Sequence, residues 1–218
     1  HYCPNETGCP PQIKGRLEHF ISRKAMNIES LGEGKVEVLY DHGLVRNCAD
    51  LYDLTFDRLI GLEKSYPAGE NGKEKKISFR EKTVENILRG LEASRSVRFD
   101  RVLYALGIRN VGETVARKLA VHFGSVDSLA AADRATLVEA EEIGDRIAGS
   151  IITWFGDEGN REIVRRLQAA GLHFTLDEPL VARLSDRLAG MTFVVSGVFS
   201  RFLRDELKKT AEAHGGKN

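Results

Sequence analysis

The sequence predicts a mainly α-helical protein: a tandem bundle of helices joined in pairs by tight hairpins, preceded by a short cysteine-bearing segment and followed by a small α/β piece. Three observations carry this prediction. Apolar residues recur at helical spacing through most of the 218 residues. A short turn motif returns at a near-constant interval, which marks a repeated supersecondary unit. Near the end, the run Met191-Thr192-Phe193-Val194-Val195-Ser196-Gly197 replaces helical spacing with continuous β-branched and apolar residues.

The clearest hairpin lies between Phe99 and Gly124. A helix carrying Val102, Leu103 and Leu106 runs into Gly107, and the turn Ile108-Arg109-Asn110-Val111-Gly112 follows. The next helix places Val115, Leu119 and Phe123 at i, i+4, i+8 and stops at Gly124. This is the pattern of a helix-hairpin-helix. Gly112 has no Cβ, so another backbone can approach the turn. The N–H groups that open the second helix have no intrahelical partner and form an anion site suited to phosphate. A single copy is equally compatible with a tight turn inside a helical bundle.

The motif is repeated. Ser30-Leu31-Gly32 precedes Glu33-Gly34-Lys35-Val36, Ser78-Phe79-Arg80 precedes Glu81-Lys82-Thr83-Val84, and Glu142-Ile143-Gly144 precedes Asp145-Arg146-Ile147-Ala148. The third positions are therefore 32, 80, 112 and 144, the last three spaced by 32 residues. A polar insert, about Tyr66 to Lys76, accounts for much of the longer first interval. An array of phosphate-facing corners suits a long polyanion, that is, nucleic acid.

Composition bounds the partners. With 32 basic and 32 acidic residues the formal net charge is zero, unlike a generally basic nucleic-acid binder, so contacts must come from backbone N–H groups and local clusters. Between Lys73 and Arg101 there are nine Lys or Arg against five Asp or Glu, which is either such a cluster or a solvated helix face. No apolar run is long enough for a membrane helix, and no signal-peptide pattern opens the chain; no membrane partner is expected.

Taken in order, residues 1–12 form the cysteine segment, in which Cys3 and Cys9 are flanked by Pro4, Gly8 and Pro10 as in a metal knuckle. A structural zinc needs four ligands, so the pair is either half of a site completed elsewhere or holds no metal. Cys48 stands apart and reads as an ordinary buried thiol. The hairpin array is expected over 13–171. Lys14 to Met26 is a helix with Leu17, Phe20 and Ile21 inward, and it feeds the first hairpin, whose second helix ends near Gly43. Asp50 to Leu54 forms a short helical link, Thr55 caps a helix to Leu62, and 66–76 is a loop. Ser78-x-x-Glu81 is a capping box opening a helix to about Ala93. Beyond the central hairpins, a helix from Asn160 turns Ile163, Val164 and Leu167 inward and ends at Gly171. Residues 172–187 read as a linker. In 188–218 a buried strand is followed by a helix with Leu203, Leu207 and Ala211 on one face.

Together these pieces resemble the C-terminal part of bacterial NAD-dependent DNA ligases. CPNETGCPPQ is similar to the second half of that family's four-cysteine zinc finger, Arg16 to Gly32 to its first hairpin region, and DLYDL to the link after it. LYALGIRNVGETVARKLAVHFGS resembles its third hairpin, and LAGMTFVVSG with the later HGGK the start of a BRCT domain. The resemblance implies a fold of zinc-finger remnant, tandem helix-hairpin-helix domain and truncated BRCT module. It also implies a parent enzyme, found in the bacterial cytoplasm at the nucleoid, that seals nicks in duplex DNA during replication and repair. That enzyme uses NAD and Mg²⁺, and adenylation and OB domains N-terminal to this part are implied partners. Structural Zn²⁺ would take Cys3 and Cys9.

The expected DNA contacts are Val111, Gly112 and Thr114 first, then Leu31 and Gly32, with Ile143 and Gly144 in the fourth copy. Arg109, Lys118, Arg80 and Lys82 are expected charged helpers to phosphate. The sequence also departs from the family's Gly-apolar-Gly hairpins. The first glycine is replaced by Ser30, Ser78, Asn110 or Glu142, and Arg80 replaces the last glycine of the second copy. Glu142 sets a carboxylate beside the fourth corner and favours a structural role for it. No Lys-x-Asp-Gly occurs, so the family's nucleotidyl-transfer centre is not expected here and the chain alone should be inactive. Two other readings remain: a non-enzymatic hairpin scaffold, or the DNA-binding part of a repair nuclease.

Overall fold

Leu17, Phe20 and Ile21 form the buried face of the first helix, as their spacing requires. That helix, α1, spans Pro10–Ile21. It starts earlier than the sequence suggests because proline fits the first turn, where its missing N–H costs no hydrogen bond; residues 10–12 thus belong to the helix. The computed structural model describes residues 8–67, 75–176, 187–196 and 204–216. The chain divides into two units, His1–Thr175 and Leu176–Asn218.

In the first unit, α2 spans Glu33–Asp41 and buries Val36, Val38 and Leu39. A 3-10 turn follows at Cys48–Asp53, closed at its start by reciprocal bonds between Asn47 and Asp50. Cys48 is half-buried, and desolvation of its sulfur pushes the thiol up to about 12, so it is unreactive. The next helix, α3, is only Phe56–Leu59, shorter than the 55–62 helix expected.

Part of the segment read as a loop is an antiparallel hairpin, β1 (Glu63–Tyr66) paired with β2 (Lys75–Ser78). Residues 68–74 lie outside the described residues. Hydrophobic periodicity misses this hairpin because one face of β1 is polar. Lys64 and Tyr66, two residues apart, share that face and meet Glu37 and Asp41, four apart on α2. The Tyr66 hydroxyl donates to Glu37 at 2.5 Å, and Lys64 lies 2.5 Å from Asp41. Lys14 of α1 adds a 2.9 Å bond to Glu37. Because Ser78 is committed to β2, the expected capping box does not form: α4 (Glu81–Ser94) begins at Arg80 with no side-chain cap.

The α4 helix packs its Val84, Ile87 and Leu91 inward, and Gly90 lies against the chain between α1 and α2: a Cβ there would sit 2.9 Å from the Glu29 carbonyl oxygen. Next come α5 (Phe99–Ala105), α6 (Glu113–Phe123), α7 (Val126–Ala131), α8 (Arg134–Glu139), α9 (Asp145–Gly156) and α10 (Glu158–Ala169). In α6 the buried stripe is Ala116, Leu119 and Ala120, rotated from the expected Val115 and Phe123, which are half-buried.

Arg166 of α10 spans two carboxylates of the 3-10 turn, Asp50 at 2.8 Å and Asp53 at 2.5 Å, joining the last helix of the array to the link after its first hairpin. The expected linker does not begin at 172. Leu172 and Phe174 are buried, and the Val126 N–H donates to the Phe174 carbonyl at 2.9 Å. Apolar side chains, not composition, fix this boundary after Thr175.

In the second unit, α11 (Arg204–Ala213) buries Ala211 and Ala213; Leu203 lies outside the described residues. The expected buried strand at 191–197 is corrected. Residues 191–196 form no strand beyond a single bridge at Thr192, and Val194 is 88% exposed. Phe193 instead packs at the end of α11, where a Cβ on Gly216 would lie 2.8 Å from its ring.

Two expectations follow. Gly90→Ala adds a better helix former by about 0.5–1 kcal/mol, yet should lower the unfolding midpoint because its Cβ meets backbone; a raised midpoint would contradict the close approach. Glu37 is held at about 2 by the Tyr66 hydroxyl, Lys14 and Lys64, against an ordinary 4.5. Its contribution to stability is full above the ordinary value and lost as pH falls through about 2. Wild type should therefore exceed Glu37→Gln in denaturant midpoint at neutral pH, and the gap should close between pH 4.5 and 2.

Candidate nucleic-acid interface

Three of the four expected corners share one backbone path. Ser30, Asn110 and Glu142 adopt left-handed φ of 64°, 63° and 64°. Each is followed by an apolar residue sunk into the core, Leu31, Val111 or Ile143, with 6, 5 and 3% exposure. Each apolar residue is followed by an exposed glycine that is the N-cap of the next helix: Gly32 for α2, Gly112 for α6 and Gly144 for α9. The turn thus swings the chain out through the left-handed residue, anchors it with the apolar plug and releases it bare at the helix start.

The glycines sit where nothing inside the molecule needs them. Gly32, Gly112 and Gly144 have φ of −120°, −83° and −89°, open to any residue. A Cβ at each would meet nothing within 4 Å. Left-handed φ, which does favour glycine, is borne by Ser30, Asn110 and Glu142, at about 1 kcal/mol or more for a non-glycine and less for Asn. Bare backbone at these three N-caps therefore borders open space.

Among the other helices, α7, α8 and α10 carry side-chain caps, whereas α1, α3, α4 and α5 have none. The N-caps of α7, α8 and α10 are Ser125, Asp133 and Asp157, whose side chains accept from Ser128, Thr136 and Asn160 N–H. Side-chain caps are missing at α2, α6 and α9, so no N-cap side chain takes up their first N–H groups. The expected backbone sites at Leu31, Gly32, Val111, Gly112, Ile143 and Gly144 are thus brought to three equivalent corners, and Thr114 is exposed on the first turn of α6. The second copy is different. Phe79 is its buried plug, but Ser78 lies in β2 and no left-handed residue precedes it. Arg80 and Lys82 are exposed at the start of α4.

Charge around the corners is mixed. Arg109 is exposed beside the third. Lys118, expected as a phosphate helper, reaches the fourth turn, 2.6 Å from Glu142 and 3.9 Å from Glu141. Glu142 faces this lysine, and Gly144, two residues on, is as open as Gly112.

Sequence reading missed two further features. Lys35, half-buried, donates to the Ser30 carbonyl at 2.5 Å across the first corner, and desolvation lowers its pKa. Acidic residues open all four hairpin helices: Glu33, Glu81, Glu113 and Asp145. Two of these are drawn toward cations, Glu113 to Lys24 and Asp145 to Arg134, each at 3.2 Å. The sequence carries the acidic positions openly, one after each motif, but not their partners.

Residues 101–164, from α5 into α10, match the family described as the helix-hairpin-helix motif. The whole chain aligns with proteins named DNA ligase: 49% identity over 218 residues with that of Bacteroides fragilis, and 48% over 217 with that of Flavobacterium johnsoniae. The chain is homologous to a segment of DNA ligases. It spans about a third of these relatives, 31% of the first and 30% of the second. The DNA ligase of Phocaeicola vulgatus aligns equally fully at 48%. The motif match covers the third and fourth corners.

Of the expected metal ligands, Cys3 lies outside the described residues, and Cys9 is the half-buried N-cap of α1. No group of three or more possible metal ligands occurs among the described residues. Two thiolates alone do not fit a closed tetrahedral zinc site. No helix among the described residues is long and apolar enough to cross a membrane.

Gly112→Ala should leave the thermal midpoint unchanged within about 0.5 kcal/mol, whereas Gly107→Ala, at φ 69°, should destabilise by about 1 kcal/mol. Equal losses would show that folding itself demands the glycine at 112.

Proposed function

We propose that the helical unit is the duplex-gripping part of an NAD-dependent DNA ligase, holding nicked DNA by its backbone without reading sequence. One observation carries the reading: exposed glycine N-caps that neither conformation nor internal packing requires. A phosphate oxygen approaching the N–H groups of residues 32–34, 112–114 and 144–146 would be excluded by a side chain at the cap and is favoured by the helix dipole. Corners arranged in pairs suit phosphates on both strands across a minor groove. Arg80, Lys82 and Arg109 supply charge at the edges, and the neutral overall balance limits non-specific attraction elsewhere.

The parent enzyme's chemistry lies outside this segment in our reading. Adenylate transfer from NAD to a lysine, and Mg²⁺-assisted sealing, are assigned to the adenylation domain with its neighbouring OB domain. Cys3 and Cys9 are proposed as two thiolates of a four-cysteine zinc finger completed by residues beyond this chain. Residues 188–218 are proposed as part of a BRCT module, and the parent as a cytoplasmic protein at the nucleoid. The homology to ligases favours this reading over a scaffold or a nuclease.

Fluorescence anisotropy of the full chain with a labelled nicked duplex tests the proposal. Binding should weaken steeply between ~50 and ~300 mM salt, and Gly112→Asp should reduce it at least tenfold by filling the corner with a repelling carboxylate. Salt-independent binding, or full affinity in Gly112→Asp, would overturn it.

A further inference from the structure

The third and fourth corners touch each other reciprocally. Asn110, two residues before Gly112, donates its amide to the Ser150 hydroxyl at 2.7 Å; Ser150 is six residues after Gly144. Glu142, two residues before Gly144, meets Lys118 at 2.6 Å; Lys118 is six residues after Gly112. The same two positions of each hairpin therefore face each other in opposite order, as in two objects related by a near two-fold axis. Both turn residues are non-glycine residues held at left-handed φ, 63° and 64°, where glycine would be relaxed. Glycine could make neither contact.

We propose that Asn110 and Glu142 are positioning residues: with Ser150 and Lys118 they lock the two corners at a fixed separation and angle, so that both engage one duplex at once. This rests on the reading of the corners as phosphate sites. The side chains at 110 and 142 turn backbone strain into a cross-link between hairpins. Lys118 acts through Glu142 and does not contact phosphate. Locking matters because two weak sites on one rigid body gain from effective concentration only when their geometry matches the span.

The proposal predicts a sign opposite to that of bulk electrostatics. Glu142→Gln removes a negative charge beside a phosphate-facing corner, which alone would tighten binding. Loss of the lock should instead weaken nicked-duplex binding by about two- to fivefold, the scale of an exposed ion pair. Asn110→Gly relieves the left-handed φ, so it should keep or raise the unfolding midpoint while weakening duplex binding similarly. Ser150→Ala repeats the test from the other partner, should either turn variant fold poorly. Affinity for a single strand of equal length, which one corner can hold, should stay unchanged in all three. Lys118→Met should weaken duplex binding without changing the slope of log Kd against log salt; a phosphate contact would lower that slope by about one.

The outcomes separate. Duplex binding by wild type that ignores salt would defeat the phosphate reading itself. Salt-dependent binding by wild type, with Glu142→Gln and Ser150→Ala binding duplex as well as or better than wild type, would overturn the lock and leave the corners intact. Equal losses on duplex and single strand would also overturn it, since those would mark damage within one corner.

Discussion

Each corner depends on one apolar side chain driven into the core between a left-handed residue and a bare glycine. Burying Leu31, Val111 or Ile143 contributes about 1.5–3 kcal/mol at each place, enough to hold the preceding residue in an unfavourable conformation. With the plug fixed, the chain can only emerge at the helix start, and the N–H groups there face outward. The apolar core and the polar corner are two consequences of one contact. The second copy keeps the plug, Phe79, but β2 occupies the place of the turn, so the plug alone does not make the corner.

The hairpins are joined by two kinds of contact. In the first half of the helical unit, coupling is by close approach. Gly90 of α4 admits the backbone of Glu29, and Gly34 of α2 lies under the side chain of Ile77. In the second half it is by polar side chains, Asn110 with Ser150 and Lys118 with Glu142. Arg166 on Asp50 and Asp53 then ties α10 back to the link after the first hairpin. Since exposed ion pairs are individually weak, the apolar core supplies stability and these polar contacts supply orientation.

Much of the helical array was legible in the sequence because its signals are apolar and local. The plugs Leu31, Val111 and Ile143 and the glycines after them stand out by type and spacing, and the helices follow from 3.6-residue periodicity. The β1–β2 hairpin was hidden because Lys64 and Tyr66 face Glu37 and Asp41, and no hydrophobic pattern records such a face. The ion pair of Lys118 was hidden because its partner, Glu142, is 24 residues away in sequence, on the next hairpin. The expected start at 172 failed for a similar reason: buried Phe174 meets Phe99 and Val126, both distant along the chain. The apolar run at 191–196 misled in the other direction: β-branched composition gives strand propensity, yet among the described residues of this unit only a bridge at Thr192 forms.

In the proposed complex, DNA meets backbone N–H groups at bare helix starts. Amide chemical shifts of the ¹⁵N-labelled chain, followed as nicked duplex is added, address it directly. The account predicts the largest shifts at Gly32, Gly112 and Gly144 and at the two residues after each, with Ser128, Thr136 and Asn160, whose N–H groups are already capped, left in place. Shifts concentrated at the capped helices, with the three glycines unmoved, would contradict it.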